Sequence, residues 1–135
     1  MKTVIVFLLV ASTVFFMSFT YISSAPDQDK WVAPTSSKEL VNPFSGDASI
    51  SKGEAIYKTR CVVCHGATGK GDGPAGKSLT PQAASHAAEY VQNQTDGEIF
   101  WKMSEGRGPM VGWKLIISEE DRWNLVNYIR TLAAE

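Results

Sequence analysis

The 135 residues hold two cysteines, three apart and followed directly by a histidine, in the run Cys61-Val62-Val63-Cys64-His65. On a helical turn, side chains three apart share a face and the next residue projects from the neighbouring position. Two thiols so placed can add to the two vinyl groups of one haem while the adjacent imidazole ligates its iron, the C-x-x-C-H pattern. Two other chemistries compete for such cysteines. A dithiol redox pair sits at a strand-to-helix junction, and no stretch here alternates with the period of a strand. A structural zinc site needs four ligands, and beyond the run only His86 remains. Two cysteines are also too few for a disulfide framework or a Cys₄ cluster. The run therefore points to one haem c, bound through Cys61 and Cys64, with His65 as an axial ligand.

Haem iron takes a second axial ligand, and Met103, Met110 and His86 are the candidates. Met110 lies in Gly106-Arg107-Gly108-Pro109-Met110-Val111-Gly112-Trp113, a stretch that breaks any helix and can fold a thioether over the haem face. Met103 falls in a helical stretch beside Trp101 and reads as core filler, and His86 reads as a surface residue. Met110 is the expected ligand. With His65 and Met110 both bound, no position is open to substrate or oxygen, and the thioether favours Fe(II).

Three segments carry helix punctuation. Ser51-Lys52-Gly53-Glu54 has the spacing of a capping box and predicts a helix from about 49 to 61. Thr95-Asp96-Gly97-Glu98 repeats it ahead of Ile99, Phe100, Trp101 and Met103, with Gly106 as the stop. Ser118-Glu119-Glu120-Asp121 opens a third helix with acids at its positive end. There Leu125, Tyr128, Ile129 and Leu132 form one apolar stripe. Gly66 to Pro81 (GATGKGDGPAGKSLTP) has the composition of a loop. The fold class is all-α with irregular loops.

Thirteen Lys+Arg against fourteen Asp+Glu give a net charge of −1, which excludes the broad basic field of a nucleic-acid binder. Val4 to Ile22 carries no charge, follows Met1 and Lys2, and precedes Ser23, Ser24 and Ala25. Residues 1–25 are an export signal cut after Ala25, or 4–22 stay as a membrane tether. Both put the remainder in the periplasm or on the outer face of the cytoplasmic membrane. Residues 26–46, with Pro26, Pro34 and Pro43, read as a flexible linker, or as an arm whose Trp31 and Phe44 pack on the domain. The domain proper is 47–135, short enough to gain from a bound cofactor.

Residues 47–135 resemble the class I, monohaem c-type cytochromes. Gly53 and Tyr57, eight and four residues before Cys61, match the small residue and aromatic of the family's first helix. Leu125 and Tyr128 match the aliphatic and aromatic of its last. The resemblance implies three or more helices around one covalent haem, the first and last crossing at Gly53. It implies that the Pro74 carbonyl accepts the His65 Nδ1–H. Trp101 and Trp113 stand where family aromatics line the haem pocket or donate to a propionate, and core packing explains each equally well. Arg107 is a propionate partner or an exposed loop arginine. Val111 departs from the family, which commonly has proline after the methionine, although Pro109 stiffens the other side. The function implied is one-electron transfer between donor and acceptor proteins, without an enzyme's catalytic residues. Two alternatives are a haem subunit of a larger redox complex and a ligand-binding or sensor haem with an open sixth site.

Overall fold

The computed structural model describes residues 31–133, which form five α-helices and no strand. They are α1 Gly46–Arg60, α2 Val62–His65, α3 Glu89–Gln92, α4 Asp96–Glu105 and α5 Glu119–Thr131. Segment 4–22 and the start of the arm lie outside these residues, and no described helix is long and apolar enough to cross a membrane.

The two later start signals operate as read. Thr95 Oγ1 accepts the Glu98 amide at 3.2 Å while Glu98 Oε2 accepts the Thr95 amide at 2.8 Å, a complete capping box on α4. Ser118 Oγ accepts the Asp121 amide at 3.1 Å, and three acids fill the first turn of α5. The box expected at Ser51 does not form. α1 begins at Gly46, so Ser51 lies within it. Its N-terminal turn is held by tertiary contact instead: Ser49 Oγ donates to Asn124 Oδ1 of α5 at 2.5 Å, and Asn127 Nδ2 donates to Ser49 Oγ at 2.7 Å.

α1 and α5 cross with backbones almost touching. A Cβ on Gly53 would lie 2.1 Å from the Asn124 carbonyl oxygen, so only glycine admits the crossing. Tyr57, Leu125 and Val126, each 0% exposed, fill the core beside it, and the Tyr57 and Tyr128 rings meet at 5.1 Å. On the far side Phe100 of α4 stacks on Trp123 of α5 at 3.8 Å. Arg130 ties the end of α5 to the α3–α4 junction through Asp96 Oδ1 at 2.8 Å and the carbonyls of Gln92 and Gln94 at 2.7 and 2.6 Å.

Residues 31–45 lie against this body. A 3₁₀ turn at Thr35–Glu39 rests on Gly97 of α4, where a Cβ would stand 1.9 Å from the Ser37 carbonyl oxygen. Asn42 Nδ2 donates to Asn127 Oδ1 at 2.9 Å, and Asn127 Nδ2 donates to the Phe44 carbonyl at 3.0 Å.

Candidate haem-attachment site

The C-x-x-C-H run is a single turn. The amides of Cys64 and His65 both reach the Cys61 carbonyl, at 3.1 and 2.9 Å, which brings both thiols and the imidazole onto adjacent positions. Both cysteines are free and half-buried. Burial, with Cys64 adding to it, pushes the Cys61 thiol up to about 12. That is the reverse of the thiolate-stabilising setting a redox dithiol uses.

His65 is buried, and its Nδ1 lies 2.9 Å from the Ala84 carbonyl oxygen. An Nδ1–H donated there leaves the Nε2 lone pair for a metal and sets the ring's orientation. Burial lowers the pKa of His65 against the opposing pull of that hydrogen bond, which keeps the imidazole neutral.

The oxygen on His65 is Ala84's, a correction to the expectation for Pro74. Pro74 is exposed. The Gly71 amide bonds the His65 carbonyl at 2.8 Å and the Ala75 amide bonds Val63 at 2.9 Å, so this stretch spends its polar groups on α2's backbone. Gly73 and Gly76 permit that closeness, since added Cβ atoms would sit 2.5 Å from the Val62 oxygen and 1.9 Å from the Cys64 oxygen. The chain comes round to the imidazole only at Ala84.

His86 is a second correction. It is buried, with its ring stacked on that of His65 at 4.0 Å and 19°. Tyr57 Oη donates to the Gly66 carbonyl at 3.1 Å and lies 3.4 Å from His86 Nδ1. The ring of His86 is thus engaged inside the fold, by stacking on His65 and by Tyr57. Nothing in Ser85-His86-Ala87 signals this burial, which depends on Tyr57 from α1.

His86 gives the fold a pH dependence. Burial, reinforced by His65, holds its pKa well below the ordinary 6.5. The unfolded chain therefore binds more protons below about pH 6.5, so stability is complete above that value and falls as the pH drops through it. His86→Phe keeps a ring and removes the proton site. Its urea midpoint is expected to fall less than the parent's between about pH 7 and pH 5.

Met110 ends a closed turn. The Arg107 amide donates to the Met110 carbonyl and the Met110 amide to the Arg107 carbonyl, both at 3.0 Å, around Gly108-Pro109. Amides of Trp113 and Lys114 bond the carbonyls of Met103 and Ser104 at 3.0 and 3.1 Å, fastening the loop's exit to α4. The loop thus has its own closure although Val111 replaces the family's usual proline. Met110 and Trp113 are half-buried and pack against the core cluster, of which Met103 is a buried member. Trp101 is half-buried, its ring 6.3 Å from that of Trp31. Arg107 is exposed.

No group of three or more His, Cys, Asp or Glu side chains able to hold an ion occurs among the described residues. The donors that do come together are two thiols and one oriented, neutral imidazole on a single turn, a set that fits a thioether-bound haem and not a four-ligand zinc centre.

The cytochrome c family model matches residues 50–133, and the chain belongs to that family. Its cofactor is one haem c, carried on Cys61 and Cys64. No curated protein matches it. A solved chain of the reducing HAO-like protein complex of Kuenenia stuttgartiensis shares the fold, with a TM-score of 0.61 at 21% identity. The alignment covers 70% of this chain and 48% of that one, so this chain spans about half of that neighbour's length.

Proposed function

We propose that this chain is an exported one-electron carrier whose haem iron is held by His65 and Met110. The observation that carries the reading is the His65 imidazole, neutral, with Nδ1 committed to the Ala84 carbonyl at 2.9 Å and Nε2 left free. Haem bound there supplies an Fe(III)/Fe(II) couple. Cys61 and Cys64 would anchor it, His65 would ligate the iron through Nε2, and Met110, at the end of the closed loop, would supply the thioether ligand. The uncharged run in residues 4–22 supports export, and the intact mass of the native chain tests both export processing and added haem. Donor and acceptor are proteins met transiently.

Met110→Ala is expected to lose the red sulfur-to-iron(III) charge-transfer band and to bind carbon monoxide when reduced. Its potential should drop by on the order of 0.1 V, within the range of about 0.8 V that axial ligands command. Met103→Leu, a core change, should keep the band. Survival of the band in Met110→Ala would remove Met110 from the reading.

A second reading, a haem subunit of a larger redox assembly, is favoured by one surface feature. Leu115 and Ile116, 96% and 56% exposed, follow the methionine loop as apolar side chains facing solvent, and the solved neighbour is part of a complex. The mass of the native species in gel filtration separates a lone carrier from a subunit.

A further inference from the structure

The arm ahead of the family's matched residues reaches the methionine loop. The Trp31 ring packs on Trp101 of α4 at 6.3 Å. Arg107 lies over the same ring, its Cζ 4.9 Å from the centroid, and Lys102 Nζ stands 5.6 Å away. Arg107 is the residue whose backbone makes both hydrogen bonds closing the turn on Met110. The Trp31 ring thus attracts two cations, one from α4 and one from the loop. The arm itself is anchored apart from the loop, by the Ser37 backbone on Gly97, by Asn42 on Asn127 at 2.9 Å and by Lys38 near Glu98 at 3.8 Å.

We infer that Trp31 is a positioning residue for Met110, a strap by which the N-terminal arm holds the methionine loop closed through Arg107. The inference rests on the reading of Met110 as the sixth ligand. An axial thioether competes with any external ligand, and part of its strength is the closed state of its loop. Whatever loosens the loop passes to the competitor.

The test uses the ferric holoprotein, titrated with imidazole at fixed pH while the charge-transfer band is followed. In Trp31→Ala the imidazole concentration that displaces half of the band is expected to fall about threefold, the scale of losing the one cation–ring contact that reaches the loop. Trp31→Phe, which keeps a ring face, should recover most of the parent value. Val32→Ala, at an exposed neighbouring position, should match the parent. Arg107→Gln removes the same contact from the loop side, keeps the arm's own anchors on α4 and α5, and should shift the titration in the same direction, so the test holds even if Trp31→Ala fails to fold. Parent-like titration of both Trp31→Ala and Arg107→Gln overturns the strap and leaves Met110 as the ligand. A parent protein with no charge-transfer band overturns the ligand reading itself, and the strap with it.

Discussion

Replacing Cys61 and Cys64 together by serine is expected to abolish covalent pigment: acid–acetone should extract all the haem, and a denaturing gel should show none on the chain. The serine hydroxyls match the thiols in shape but form no thioether, while His65 keeps its bond to Ala84 and can still ligate. The remaining haem would be held by axial bonds and packing alone, without the high effective concentration that a covalent link confers. A domain of this size buries a modest core, so its unfolding midpoint should fall along with the pigment. Each single Cys→Ser variant should keep covalent haem through the remaining sulfur. Retention of pigment by the double variant after extraction would refute attachment at these two residues.

Gly53→Ala is expected to destabilise the fold by about 2–4 kcal/mol, although alanine is the better helix former by about 1 kcal/mol. The new Cβ would stand 2.1 Å from the Asn124 carbonyl oxygen, 2.7 Å from its carbon and 2.9 Å from Tyr128 Cβ. These are backbone and stem atoms that cannot rotate aside, so α1 and α5 must separate. Separation stretches the 2.5 Å Ser49–Asn124 bond and opens the Tyr57–Tyr128 contact at 5.1 Å. Steric cost therefore outweighs propensity. Urea midpoints measure the effect, with Ser51→Ala as the internal comparison. Ser51 is exposed inside α1 and caps nothing, so its loss should stay within about 0.5 kcal/mol. A capping serine would cost about 1 kcal/mol, so this one measurement also checks where α1 starts.

How far the sequence could be read followed the range of the interactions involved. The starts of α4 and α5 were legible because Thr95 with Glu98 and Ser118 with Asp121 bond within three residues. The start of α1 was not, because its first turn answers to Asn124 and Asn127, more than seventy residues away. The Gly53 crossing was legible only through the family resemblance, since spacing alone does not say which helix passes over a glycine. Pro74 was misplaced because a glycine-rich loop has no period to follow, and its amides were taken by α2's carbonyls. His86 looked superficial because no local pattern reports the approach of Tyr57 and His65. For the arm, composition left linker and packed arm open, because the contact of the Ser37 backbone with Gly97 joins residues sixty positions apart.

The amino-acid order by itself determined the attachment chemistry, because two thiols and an imidazole within five residues fall on one helical turn whatever surrounds them. It also determined which segments become the two later helices, through caps and stripes spanning a turn or two. The tertiary structure alone decided which carbonyl orients His65, that His86 lies flat against it, and that Trp31 sits over Arg107. Those pairings join residues separated by nineteen or more positions, and their free energy exists only once the helices that carry them have packed.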